Sequence, residues 1–258
     1  MTLHAIEGNY FSDMKQYRPV IDGVITTNRL SEIMTKRLGE IDQSRVFYAP
    51  YGIDQKKYEF KTSLEPGITR IAWVRRLDRK QKRVDDIKDI VSHLDGTGIR
   101  YQLLIAGDGP EREEVLKDLS EGISDGRVRF VGMINKEELS VFYGKNDILL
   151  ITSEWETGPI VAWEAISAGL AIVSSRYIGS KAEKTLIDNE TALLFHVGDA
   201  EAPAKRIATL SDDKIGRRLQ INAQQVVNLK YSSEASLDAW ENAFEKIMTM
   251  SRDKESDQ

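Results

Sequence analysis

The chain has 258 residues, 41% of them hydrophobic and 30% charged, with no cysteine. Lacking cysteine, it can hold no disulfide scaffold, Cys-ligated zinc or thiol nucleophile. Lys and Arg total 36 against 41 Asp and Glu, a formal net charge of −5, which argues against a general nucleic-acid binder. No apolar run of about 18 residues occurs, so no transmembrane segment is expected, and Met1–Met14 carries no basic-then-apolar leader pattern. These features predict a soluble cytoplasmic protein with a sizeable core, in one large or two small domains.

In chain order, the first sixty residues predict a short strand over Asp22–Thr26, a helix over Arg29–Leu38 and a short strand over Val46–Ala49. Pro50–Asp54 reads as a turn, and Lys56–Gly67, closed by Pro66-Gly67, as a connector marking a domain boundary. Beyond it, short apolar runs bounded by Gly, Asp or Ser predict strands at Thr69–Val74, Tyr101–Ala106, Arg127–Val131, Asp147–Thr152, Leu170–Ser174 and Ala192–Val197. Helical patterns lie between them at Val84–Leu94, Pro110–Leu119, Lys136–Gly144, Pro159–Ala168 and, more weakly, Lys181–Ile187. This alternation predicts an α/β fold with a doubly wound parallel sheet. The near-continuous apolar strands, such as Ile148–Ile151, fit a sheet covered on both faces. Helices then follow at Ala200–Leu210, Asp213–Leu229 and Glu234–Met250, the last with Leu237, Trp240, Phe244 and Ile247 on one stripe. Ser251–Gln258 reads as a frayed polar tail.

The segment Glu154–Glu164 is the most informative. A strand runs into a turn, Pro159 opens a helix, and Thr157 or Gly158 is the expected cap. The free N–H groups of such a helix start make an anion site at the carboxyl edge of the sheet, where open α/β sheets bind ligands. Glu164 is the only charged residue between Thr157 and Ser175, in a helix apolar nearly all round. A carboxylate there is costly unless a donor or ligand satisfies it; the alternative is a surface Glu on a solvent-facing stripe. Glu156 stands eight residues earlier, either as an acid favoured by the helix dipole or as a carboxylate holding ligand hydroxyls. The second cluster, Arg75-Arg76-Leu77-Asp78-Arg79-Lys80-Gln81-Lys82-Arg83, follows the first strand of the sheet and fits phosphate binding, with Arg79, Lys80 and Arg83 as the solvated members. Ala106-Gly107-Asp108-Gly109-Pro110 begins like a dinucleotide fingerprint, but Arg112 stands at the third glycine position, so its glycines serve a tight turn or close backbone approach. His4, His93 and His196 are scattered and form no metal cluster; His93 reads as surface and His196 as packing.

This combination of a basic loop, Gly-Asp-Gly-Pro, Gly132-Met133 and a Glu-x₇-Glu helix start resembles the donor-binding half of glycosyltransferase family 4, retaining enzymes with two Rossmann-like domains in the GT-B arrangement. The resemblance implies that Glu156 holds donor-sugar hydroxyls and Glu164 the ribose. It implies that Arg76 and Lys82 bind the diphosphate, with Thr157, Gly158, Pro159 and Ile160 at the helix start beneath it, and that Val131 and Met133 line the base. His4 would correspond to a histidine on the acceptor side. The family commonly has a small residue where Arg75 stands, and Asn where Tyr51 precedes Gly52. On this reading residues 1–60 are a remnant of the acceptor domain with its crossover, 61–232 the nucleotide-sugar domain, and 233–258 a C-terminal crossover helix with its tail.

The implied reaction is metal-independent transfer of a sugar from a nucleoside diphosphate to an acceptor hydroxyl of a glycan, lipid or protein, with no cofactor. The alternatives are a non-catalytic donor-binding module completed by a separate acceptor-domain chain, or a GT-B sugar-nucleotide epimerase. An exposed stripe of Trp240, Phe244 and Ile247 would favour a partner chain or self-association, and a site on the cytoplasmic face of a membrane fits the same reading.

Overall fold

The alternating strands and helices resolve into two parallel sheets, each in its own unit of the computed structural model. The structure describes residues 1–4, 8–61, 67–210 and 213–256, without the side chains of 213 and 252–256. One unit comprises Met1–Asp54, Thr157–Ile160 and Leu229–Gln258, the other Gln55–Glu156 and Val161–Asn228.

In the first unit β1 (Thr2–Leu3), β2 (Val24–Thr26) and β3 (Val46–Tyr48) form a parallel sheet in that order. Helix α1 (Gly8–Tyr17) joins β1 to β2, and α2 (Arg29–Leu38) joins β2 to β3. Asn28 starts α2 by accepting from the Ser31 N–H at 2.7 Å, and Glu32 ties Arg29 and Lys36 along its surface. Leu3, Met14, Val24 and Val46 bury against one another. Ile25 and Ala49 instead pack with Ala243 of the C-terminal helix Ser233–Ser256, flanked by Phe47, Trp240 and Ile247. Trp240 Nε1 and Ser236 Oγ both donate to the Pro50 carbonyl, at 3.1 and 2.7 Å.

This corrects the expected stripe. Trp240, Ala243 and Ile247 face the small sheet, whereas Leu237 and Phe244 are more than half exposed. The small Ala243, invisible to a search for large apolar residues, sets the inward face. The helix also continues to Ser256 rather than fraying after Met250.

In the second unit six strands run parallel: β4 (Thr69–Val74), β5 (Tyr101–Ala106), β6 (Val128–Gly132), β7 (Ile148–Ile151), β8 (Ala171–Ser175) and β9 (Leu193–Phe195). Their order is β6-β5-β4-β7-β8-β9. The connecting helices are α3 (Arg79–Lys82), α4 (Asp86–Asp95), α5 (Arg112–Asp118), α6 (Ser120–Ser124), α7 (Lys136–Gly144), α8 (Ile160–Ser167) and α9 (Ser180–Glu183). After β9 come α10 (Glu201–Thr209) and α11 (Asp213–Tyr231), and the C-terminal helix is α12. The expected helix at Pro110–Leu119 is α5, a second short helix, α6, follows it unannounced by the pattern, and the weak pattern at Lys181–Ile187 yields a single turn.

Alternate residues of the central strands, Ile71 and Trp73, Leu103 and Ile105, Ile148 and Leu150, enter one core with Ile87, Ile90 and Leu94 of α4 and Ile207 of α10. The opposite face is fully closed over β7 and β8 but not over β5 and β6. There Arg70, Gln102, Leu104 and Arg129 line an open groove of about 600 Å³, so the expected cover on both faces holds only for part of the sheet. Asp147, fully buried at the foot of β7, accepts from Lys61 Nζ at 2.7 Å and the Arg70 N–H at 2.8 Å, tying the connector to the sheet. Residues 62–66 of that connector, with Pro66, lie outside the described residues.

The winding direction fixes where a ligand can enter. From β4 the chain builds one flank, then returns to start the other at β7. The connections after β4 and β7 therefore diverge at the carboxyl edge and leave a crevice between them. Gly107 and Gly109 let the segment after β5 lie directly on the segment after β4. A Cβ on Gly107 would fall 1.8 Å from the Arg75 carbonyl oxygen, and one on Gly109 would fall 2.2 Å from that of Leu77. The Arg75 N–H accordingly reaches Ala106 O at 3.0 Å, and the Leu77 N–H reaches Asp108 O at 2.9 Å. The close backbone approach expected of these glycines is what the structure shows. Because Gly107 also has φ +138°, Gly107→Ala should cost about 3 kcal/mol or more in urea denaturation and displace Arg75 from its site.

Candidate functional site

The basic segment after β4 is a folded device rather than a solvated loop. Asp78 caps α3 by accepting from the Gln81 N–H at 2.6 Å, and Arg83 ends it in a left-handed conformation at φ 50°. Three bonds fasten this turn to the segment after β7. Thr152 Oγ1 donates to Lys82 O at 2.6 Å, the Glu154 N–H donates to Gln81 O at 2.8 Å, and Gln81 Nε2 donates to Trp155 O at 3.2 Å. Arg83, expected in solvent, is half-buried between Asp86 and Glu154. Arg79 is half exposed but engaged by Asp85 and Glu114 at 2.5 Å, and Lys80 is exposed.

That fastening brings Lys82 and Arg75 onto Glu156. Lys82 Nζ donates to both carboxylate oxygens at 3.0 Å, Ser153 Oγ donates to Oε1 at 2.6 Å, and Arg75 Nη1 binds the same Oε1. Burial alone would raise the Glu156 pKa, but Arg75 and Lys82 outweigh it and hold the carboxyl below its ordinary range. Burial also lowers the Lys82 ammonium, and Arg75 adds to this, while Glu156 pulls the other way. The two directions are compatible because one carboxylate is shared by two buried cations and cannot compensate both.

The structure separates the two adjacent arginines. Arg75 is buried on Glu156, with its side chain 3% exposed, whereas Arg76 points to solvent and makes no ion pair among the described residues. The sequence gives no sign of Ser153, and it marks Arg75 only as a member of the basic run and a departure from the family pattern, not as a partner of Glu156. The signal for Arg75 was present in the alternation of β4: Ile71, Trp73 and Leu77 are buried, and position 75 shares their parity.

Glu164 lies half-buried on α8 rather than on a solvent stripe. The Tyr143 hydroxyl reaches Oε2 at 3.5 Å, and Tyr58 is a second hydrogen-bond partner. Burial raises the Glu164 pKa, and the two tyrosines and Lys136 only partly offset it. Tyr143 is itself pushed well above its ordinary value, by burial first and then by Glu164, and so remains a hydroxyl donor.

The other expected residues fall as follows. Helix α8 begins at Ile160, one residue later than the pattern suggested, so Pro159 rather than Thr157 or Gly158 directly precedes it. Gly158 takes φ +89°, Pro159 is buried, and Thr157 and Ile160 are half-buried, all within the segment grouped with the first unit. Val131 and Met133 flank Gly132 at the end of β6 and are 43% and 75% exposed. His4 directly follows β1 and stacks on Tyr51 of the same unit at 5.7 Å between ring centres, with a bond from the tyrosine hydroxyl to Nδ1. His93 is on the surface as expected; His196 is exposed rather than packed, because β9 ends one residue earlier at Phe195. Among the described residues no group of three or more His, Asp or Glu is placed to hold a metal, and no helix is long and apolar enough to cross a membrane.

A family model described as glycosyl transferases group 1 matches residues 54–226. The chain belongs to this family. It is 26% identical over 171 residues to the N-acetyl-alpha-D-glucosaminyl L-malate synthase of Bacillus anthracis, covering 66% of this chain and 44% of that protein. It is 32% identical over 158 residues to the GalNAc-alpha-(1->4)-GalNAc-alpha-(1->3)-diNAcBac-PP-undecaprenol alpha-1,4-N-acetyl-D-galactosaminyltransferase of Campylobacter jejuni, covering 60% of this chain and 42% of that protein. The chain thus spans less than half the length of these curated relatives. Among solved structures, TarM of S. aureus superimposes with a TM-score of 0.78 at 16% identity, over 93% of this chain and 47% of that one. Sucrose-phosphate synthase from Thermosynechococcus elongatus gives 0.77 at 23%, over 96% and 67%. These likenesses show the GT-B-type α/β fold.

For this group 1 chain, the position of Glu164 has a thermodynamic consequence. Burial makes the ionised carboxylate costlier in the fold than in the unfolded chain, so the folded state binds its proton more tightly. The cost is full above the raised pKa and vanishes below the ordinary value of 4.5. Glu164→Gln should therefore melt a few degrees above wild type near neutral pH. The two melting curves should converge as the pH falls through the raised pKa towards 4.5, read by calorimetry across a pH series.

Proposed function

We propose that this chain is the donor-binding part of a retaining, metal-independent glycosyltransferase that moves a sugar from a nucleoside diphosphate to an acceptor hydroxyl. The observation that carries the reading is the meeting of the β4 and β7 connections at the reversal of the sheet. There Lys82 and Arg75 hold Glu156, and Glu164 follows on α8 eight residues later. Breaking the bond from the anomeric carbon to the diphosphate builds negative charge on the leaving phosphate. Arg76, exposed at the crevice, Lys82, with one N–H left after its two bonds to Glu156, and the N–H groups of Val161 and Ala162 in the first turn of α8 can receive that charge. Glu164, costly to ionise and flanked by two tyrosine hydroxyls, gains from ribose hydroxyls that donate to it. Val131 and Met133, exposed at the end of β6, offer apolar surface to a base. Glu156 Oε1 is saturated by three donors, which leaves Oε2 as the acceptor for a sugar hydroxyl. TarM and HepE of Anabaena, both similar in fold, were solved with UDP, which supports a nucleotide donor here.

The test is isothermal titration of the chain with UDP, GDP and ADP. One of these should bind, and Arg76→Ala or Glu164→Ala should each weaken it by about tenfold or more, the loss of one charge-assisted or paired polar contact. Equal binding by wild type and both variants would reject the assigned pocket.

A further inference from the structure

Arg75 carries two buried nitrogens that the proposed donor site does not account for. Its side chain is almost wholly buried. One of its terminal nitrogens, Nη1, binds Glu156; Nε and Nη2 have no hydrogen-bond partner and are closed to solvent. These two N–H groups lie on the same edge of the guanidinium plane, the side-on fork that matches the two oxygens of a carboxylate. A buried cation with a vacant fork is costly, and its surroundings do not relieve it. Arg75, Lys82 and Glu156 together carry one net positive charge, and the burial of Lys82 already disfavours its own proton.

The fork sits beside Glu156, which on the reading above faces the donor sugar, and the inference rests on that reading. With Oε1 of Glu156 occupied by Arg75, Lys82 and Ser153, the hydrogen-bonding character of this corner is reversed. A carboxylate that would accept from sugar hydroxyls is partly spent, and a guanidinium edge that can only donate takes its place. The ligand group that satisfies such an edge is planar, anionic and bidentate. We propose that Arg75 is a specificity residue that selects a nucleoside-diphosphate-activated uronic acid, its fork receiving the sugar carboxylate. In the structure the fork is closed, so its use includes a local opening of the site.

The experiment is titration calorimetry of the full chain. UDP, GDP and ADP are first titrated to find the base that binds. The same base is then offered as a matched pair: the neutral hexose (UDP-glucose, GDP-mannose or ADP-glucose) and its C6-carboxylate counterpart. Wild type should bind the uronate about tenfold or more tightly than the neutral sugar, the worth of a charged bidentate contact. Arg75→Lys keeps the charge and the Glu156 pair but removes the fork, and Arg75→Gln removes the charge. In both, the uronate preference should fall to within about threefold, while calorimetric melting shows that the variants are folded. A wild-type preference for the neutral sugar, or a uronate preference that survives Arg75→Lys, would overturn the proposal. So would a loss of bare nucleoside diphosphate binding in Arg75→Lys with melting unchanged, because it would place the fork on the diphosphate instead. Failure of all three nucleoside diphosphates to bind wild type would overturn the donor-site reading itself, and this inference with it.

Discussion

The interaction on which the candidate site depends is the shared carboxylate of Glu156. It joins two segments that the topology sends in opposite directions, the one after β4 and the one after β7. Without it, Arg75 and Lys82 would be two buried cations side by side. With it, they are held at fixed positions on the carboxyl edge. The neighbouring polar bonds serve the same end. Thr152 and Gln81 fasten the α3 turn, and Ser153 orients the carboxylate. A buried ion cluster contributes little net stability, because desolvation consumes most of the Coulombic gain. Its effect here is geometric: it turns a flexible basic segment into a preorganised cationic surface, the kind that receives a developing phosphate charge without reorganisation.

The glycines beneath the cluster are the second half of the same construction. Gly107 and Gly109 bring two backbone segments closer than any side chain would permit. The first residue of the cluster, Arg75, is therefore located by a backbone bond to Ala106 as well as by its own charge. A Gly-x-Gly pattern after a strand invites a dinucleotide reading, but here both glycines are spent on packing one chain segment against another. The missing third glycine at Arg112 agrees with this use.

Much of the second unit was legible because its strands are bounded by glycine, aspartate or serine and its apolar runs are short. The ends of β4 and β5 coincide with the pattern, and the others shift by one or two residues. What escaped notice did so for identifiable reasons. Strand β1 is two residues long, too short for any period to show. Helix α1 fully buries only Met14, with Tyr10 and Phe11 packed partly against the same cluster, so its stripe is short and half aromatic. The basic run suppressed any helical reading of Arg79–Lys82, although Asp78 supplied a capping residue in the right place. In the C-terminal helix, large residues drew attention away from Ala243, the small one at the contact. At the site, Arg76 was favoured over Arg75 on resemblance, and the parity of the preceding strand, which is independent of resemblance, separates the buried guanidinium from the exposed one. The sequence motif located the carboxylates. It could not show that one of them is already occupied, because the occupants lie 74 and 81 residues away in the chain.

Glu156 and Glu164 show how far local environment, rather than residue type, decides what a carboxylate can do. They stand one short turn and one helix start apart, yet burial acts on them with opposite outcomes. At Glu156 two cations reverse the effect of burial, and the group is held ionised as a fixed part of the frame. At Glu164 only tyrosine hydroxyls and Lys136 answer it, burial prevails, and the ionised form carries an uncompensated cost. A group of the first kind gains little from a ligand, since its strongest acceptor position is filled. A group of the second kind gains a great deal, since each ligand hydroxyl repays solvation lost on folding. The groups with most to gain from a ligand are therefore Glu164 and the unpartnered fork of Arg75, one wanting donors and the other an anion. A nucleotide sugar presents both kinds of group, ribose hydroxyls at one end and, where the sugar is acidic, a carboxylate at the other.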